Sequence, residues 1–198
     1  MKMFSKLILA TAGALALMTA PVQAASFNWL SFAEPAEIPM LAADSLVNAA
    51  EGETWDLSGQ YSTPWDDEDD GREYTYVQAG GSATYSGFGT ATAVSLLWGS
   101  VDTYNSIEFW FNGVKNEVLT GTQALVGYVP AVGKGAGTIQ ILADAAFDTM
   151  IFKSSSNAFE YANLQVTAVP LPAALPLYGA GIAVLGFMGW RRRQKTAA

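Results

Sequence analysis

Five consecutive carboxylates, Asp66-Asp67-Glu68-Asp69-Asp70, followed by Gly71, are the densest cluster of chemistry-bearing groups in this chain of 198 residues. Asp66, Glu68 and Asp70 alternate, so their oxygens can converge on one cation, and glycine permits the sharp bend such a loop needs. That is the opening spacing of a calcium loop. The pattern then departs: its twelfth position is Val77 instead of a bidentate carboxylate, and its third is Glu68 instead of Asp or Asn. The run therefore reads as a solvated acidic loop that condenses divalent ions nearby. A weak calcium site at Asp66, Glu68 and Asp70 is the second reading, and no other cofactor is expected.

A second constellation is Trp98-Gly99-Ser100-Val101-Asp102-Thr103-Tyr104-Asn105. Read physically, it is a strand end, a polar turn and a strand start. Asp102 and Asn105 can accept backbone N–H bonds in an Asx-type turn while Tyr104 packs back on the sheet. Read functionally, Trp98, Asp102, Tyr104 and Asn105 form a glycan site, with aromatic faces for sugar rings and polar groups for hydroxyls. Trp65 follows Pro64 and abuts the acidic run, so it is expected to be exposed as a further sugar platform. Most of Trp29, Trp55, Trp98 and Trp110 are expected in the core, because each buries a large area.

Other chemistries are removed by composition. The chain has no histidine and no cysteine, which eliminates Ser-His-Asp and Cys-His nucleophilic machinery, the commonest zinc ligand and any disulfide. Carboxylate pairs of the glycosidase kind stay formally available, but the expectation is a protein that is not an enzyme. All 18 acidic residues lie between residues 25 and 168, together with only Arg72, Lys115, Lys134 and Lys153. That excess of carboxylates repels nucleic acid and anionic lipid, so no nucleic-acid partner is expected.

The elements that must position these groups are short β-type runs separated by Gly, Asn, Ser and Asp. Strands are predicted over 73–79, 82–86, 92–98, 106–111, 114–120, 138–143, 147–153 and 159–167. Residues 25–50 read as a lead-in segment with at most one strand, and 51–168 as one all-β domain, a two-sheet, jelly-roll-like β-sandwich. Asn112-Gly113 is the dipeptide a type I′ turn prefers, since both central positions need positive φ. A two-residue loop sets Phe111 opposite Val114, Phe109 opposite Asn116, and Glu108 opposite Glu117. Two like charges in register are unfavourable. Either the loop is longer, and the register different, or a cation sits there.

The two ends of the chain carry a different kind of information. Lys2 and Lys6 precede an apolar stretch, Leu7 to Ala20, and Val22-Gln23-Ala24 supplies small residues for a peptidase. This pattern predicts a signal peptide over 1–24, cleaved between Ala24 and Ala25, and export through the Sec translocon. At the other end, Val169-Pro170-Leu171-Pro172 leads into an uncharged apolar run, 173–190, that stops at Arg191-Arg192-Arg193. As a helix that run measures about 27 Å, enough for a bilayer. The basic tail, 191–198, would stay on the cytoplasmic side.

Together, a cleavable signal, a Pro-containing motif, a helix and an arginine cluster resemble the PEP-CTERM proteins of Gram-negative bacteria. Here Pro170-Leu171-Pro172 stands where the family name has Pro-Glu-Pro. The run from Leu97 to Phe109 resembles the Trp-Gly-Ser-x-Asp-x-Tyr-Asn signature of exosortase-dependent surface proteins with a β-sandwich domain. Asn157 to Leu164 is similar to that group's closing strand, with Ala162 where Asp is usual. The resemblance implies that a membrane-embedded exosortase cleaves near residues 169–172, so that the membrane helix anchors the protein only transiently before it reaches the cell surface or matrix. The function expected is a structural or adhesive protein retained with exopolysaccharide in a biofilm. The alternative is a carbohydrate-binding module delivered by the same route.

Overall fold

The structure, a computed structural model, describes residues 23–65, 71–128 and 136–168. The hydrophobic part of the expected signal peptide, Asp66, Glu68 and Asp70 of the acidic run, and the whole sorting tail (Val169, Pro170, Leu171, Pro172, the 173–190 span and Arg191 to Arg193) lie outside them. Among the described residues no helix is long and apolar enough to cross a membrane.

The chain is all-β. Its strands are β1 (Gln23–Ala24), β2 (Ser26–Ser31), β3 (Ser45–Glu53), β4 (Tyr74–Tyr85), β5 (Ala91–Trp98), β6 (Asn105–Phe111), β7 (Val114–Thr120), β8 (Gly137–Phe147), β9 (Thr149–Ser154) and β10 (Phe159–Ala168). One helical turn, α1 (Gly121–Ala124), follows β7. Thr120 caps it: its hydroxyl accepts from the Gln123 N–H while the Gln123 side chain accepts from the Thr120 N–H, the reciprocal bonding of a capping box.

The ladder is one continuous path, β1-β7-β6-β9-β4-β10-β5-β8-β2, with β3 also paired to β4. The expected division into two sheets is therefore bridged, and β4 is the bridge. Its first half, Thr75 to Val77, pairs with β10, and its second half, Gly81 to Tyr85, pairs with β9. Gly80, at φ 73°, sits between the two halves, where a side chain would be strained. Every pairing is antiparallel except the two-residue contact of β1 with β7.

The lead-in segment differs from expectation. Its residues supply β2, paired to β8, and most of β3, paired along β4. Residues 26–31 and 45–50 are thus part of the sheet. Phe27 and Trp29 of β2 pack on the core, whereas β3 is an edge strand whose first residues are exposed, and an exposed edge carries little apolar alternation to read.

The sheet curls until β7 faces β8, and the seam is closed by a side chain. The buried Glu117 carboxylate of β7 accepts the backbone N–H groups of Asp144 and Ala145 on β8, and Asn116 reaches the Ala146 carbonyl. Inside lies a core rich in rings. Trp98 stacks on Phe159 at 4.6 Å, Phe152 on Tyr161 at 4.4 Å, and Phe109 meets Phe147 at 4.9 Å, separations at the short end of favourable ring pairs.

Strands β5 and β10 are covered on both faces, since consecutive residues Leu96 and Leu97, and all of Phe159 to Leu164, are buried. Their outer faces carry a second cluster of Tyr61, Trp65, Tyr74, Leu97, Ala158 and Ala162, roofed by the loop between β3 and β4. The segment ahead of β3 is pinned beside it. Asn163, at φ 54°, uses its amide to accept from Ile38 N–H and donate to the Ala36 carbonyl.

Candidate functional site

The Asn112-Gly113 turn has φ values of 51° and 76°, as a type I′ turn requires, and Phe111 faces Val114 as expected. The ladder then slips. Trp110 pairs with Lys115 and Phe109 with Glu117, so Asn116 is the extra residue of a bulge and Glu108 faces Val118. Glu108 instead lies between Lys115 at 3.3 Å and Lys153 at 3.1 Å. Burial alone would raise its carboxyl, but the two ammonium groups outweigh that and hold it below the usual range. The loop is no longer than two residues; the like-charge conflict is resolved by the register shift at the bulge and by the two cations.

The turn from Trp98 to Asn105 is spent on structure. Trp98 is buried against Phe159, and the Gly99 N–H donates to the Glu160 carbonyl. A Cβ on Gly99 would lie 3.0 Å from that oxygen, so the signature's glycine permits a close crossing of two backbones. Asn105 is buried, donates to the Ala158 carbonyl and accepts from the Ser154 hydroxyl. Asp102 accepts from Tyr104 at 2.8 Å and Ser100 at 3.4 Å. The Tyr104 hydroxyl is also 2.8 Å from the Asn157 carbonyl, and it has one proton for the two acceptors. Burial, then the bond to Asp102, pushes this hydroxyl above its ordinary range.

This geometry corrects the expected glycan site. Trp98 and Asn105 face the interior, and only Asp102 and Tyr104 of that group reach the surface. Trp65 is no platform either. It is fully buried in the second cluster, its indole N–H donates to the Glu73 carbonyl, and the Arg72 guanidinium lies 4.2 Å over its ring. Pro64 turns the chain inward, and a large apolar ring gains more under the loop than in water. Among the described residues the exposed tryptophan is Trp55, at 63% exposure.

What the structure does assemble is a cleft of about 520 Å³ between the β3–β4 loop, Ser100, and the Asn157-Ala158 pair. Its walls are Asp56, Ser58, Gln60, Tyr61 and Ser62, and Glu160 is at its base. The loop is tightly folded: the Leu57 N–H donates to the Tyr61 carbonyl and both Gln60 and Tyr61 donate back to Leu57. Asp56 clamps it shut by accepting from Thr63 N–H and the Ser62 hydroxyl. Tyr61 lies flat on Tyr76, centroids 3.8 Å apart.

Glu160 is the anomalous group. It is 4% exposed, one carboxyl oxygen accepts the Ser62 N–H at 3.1 Å, and the other has no hydrogen-bond partner. Burial pushes its carboxyl up to about 7; the bond from Ser62 opposes the rise and the negative Asp102 adds to it. A buried carboxyl with an orphan oxygen is held as the neutral acid more readily than as the anion. One signal could have found it: an acid set between the two aromatic residues Phe159 and Tyr161.

Among the described residues no three acidic side chains converge closely enough to hold a metal ion. No family model, curated protein or solved structure matches the chain.

Proposed function

We propose that the chain is an exported, non-enzymatic protein of the cell surface or extracellular matrix. On this reading the Sec translocon passes it across the inner membrane, signal peptidase cuts between Ala24 and Ala25, and an exosortase cuts near Val169-Pro170-Leu171-Pro172. The observation that carries the proposal is the ordered tail: motif, uncharged 173–190 run, then Arg191-Arg192-Arg193. The curled sheet serves as a sandwich-like structural or adhesive module retained with exopolysaccharide. The use of Trp98, Asn105 and Asn163 to hold the fold supports a structural role for the resembling motifs.

The test is the intact mass and C-terminal peptide of the protein from its native extracellular fraction, compared with a host lacking exosortase. The expected outcome is loss of the residues after the 169–176 region only where exosortase is present. An intact Arg191 to Ala198 tail in both strains would overturn the sorting route.

A carbohydrate-binding role is the second reading. Exposed Trp55, directly before Asp56 of the polar cleft, favours it, because an open indole face can stack on a sugar ring while hydroxyl and amide groups meet its edges.

A further inference from the structure

The two ends of the strand ladder are one stretch of chain. Among the described residues β1 is the last strand beside β7 and β2 the last strand beside β8, and a single residue, Ala25, separates β1 from β2. Gln23 and Ala24 pair in parallel with Glu117 and Val118 of β7, and Ser26 pairs with Leu142 of β8. The backbone therefore changes partner between residues 24 and 26, and its covalent bonds there join one end of the ladder to the other. Ala25 is 5% exposed and belongs to the core, so the crossing is seated in the fold. Beside it, β7 and β8 meet through side chains: Asn116 donates to the Ala146 carbonyl, and the Glu117 carboxylate accepts from the Asp144 and Ala145 N–H groups.

We infer that the bond between Ala24 and Ala25 closes the sheet, and that removing the leader converts a closed ring of strands into a curl with an open β7 edge. The inference rests on the signal-peptide reading, which puts the cut at that bond. In the folded chain Ala24 is held in a ladder and Ala25 in the core, so a peptidase reaches the bond only before β1 docks or when it lifts. Synthesis provides the interval. Glu117 lies more than ninety positions after Ala24, roughly 5–20 s of synthesis, and until then β1 has no strand to pair with. Hydrolysis adds water across the bond: Ala24 leaves with the leader as a carboxylate, and the Ala25 nitrogen becomes an ammonium. A charge among apolar core residues is costly, so the new N-terminus leaves its buried place. The backbone groups of β7 that faced β1 then lie at an edge with which another extended chain can pair.

The experiment uses the full chain and bacterial signal peptidase in one mild detergent, with the peptidase present either during cell-free synthesis or only after the chain has folded. The micelle is the same in both arms, so it does not account for a difference between them. Intact mass reads the cut. The expected result is cleavage between Ala24 and Ala25 during synthesis, and cleavage about tenfold slower once the chain is folded. Amide exchange on the two products is the second measurement. The cut form should exchange about tenfold faster than the intact chain at Glu117 and Val118 of β7, with β9 unchanged. Equal cutting in the two arms, or equal exchange at β7 in the cut and intact forms, would overturn the inference while leaving the signal peptide standing. No cut at that bond in either arm would remove the inference and the signal-peptide reading together.

Discussion

Glu160 shows how one side chain can set the pH response of a fold. In the unfolded chain its carboxyl ionises near the ordinary value of 4.5, whereas in the folded protein it keeps its proton up to about 7. The folded state therefore binds more protons across that window, and stability falls as pH rises from 4.5 to 7. Glu160→Gln keeps the shape of the neutral acid and removes the titration. Relative to the parent, the variant should gain about 2–3 kcal/mol between pH 4 and pH 8, read as denaturation midpoints at several pH values. Parallel curves for the two proteins would show that Glu160 is not the titrating group. Little of this was legible beforehand, because the burial comes from the 56–63 loop, more than ninety positions away in sequence. The neighbouring residues Asn112-Gly113 were legible because a turn's demand for positive φ is local.

Among the elements, the strands from β4 to β10 lie close to where alternation and turn residues put them, but their registers were decided elsewhere. The slip at Asn116 moves Glu108 away from Glu117, and Glu117 is then free to cross to β8. Strand β3 escaped the sequence reading because an edge strand needs no inward stripe along its whole length, and α1 escaped because four residues are too few to show a period. That single turn has a strict steric requirement. A Cβ on Gly121 would lie 1.7 Å from the Asp102 carbonyl oxygen, and the backbone there is held by the Asn105 N–H, which donates to the same oxygen. Gly121→Ala should cost about 3 kcal/mol and lower the urea midpoint without altering the slope. A variant as stable as the parent would mean that β7 and the Asp102 turn can separate at little cost.

For the molecule as a whole, composition and pattern led to the all-β class, while the joining of all strands into one nearly closed ladder came from contacts too distant to read. Closure depends on the Glu117 bonds to Asp144 and Ala145. Glu117→Ala would leave those amides without their acceptor, and stability should fall by about 2–4 kcal/mol. Hydrogen exchange should quicken first at Asp144 and Ala145. Unchanged protection there would show that β7 and β8 stay together without the carboxylate. The proposed export and tail processing belong to this scale too, and they rest on the sequence of residues outside the described ones.

The seam between β7 and β8 also bears on how the protein would respond to load. A ladder of backbone bonds pulled along its strands must break many bonds at once, whereas a seam fastened by two adjacent side chains, Asn116 and Glu117, can part in a single local event. Tension that separates β7 from β8 would therefore open the curl there before any strand leaves the sheet. Letting go of the load would bring one carboxylate back to two waiting amides. Were the protein held at a surface, as proposed, that would be a built-in place to yield and recover.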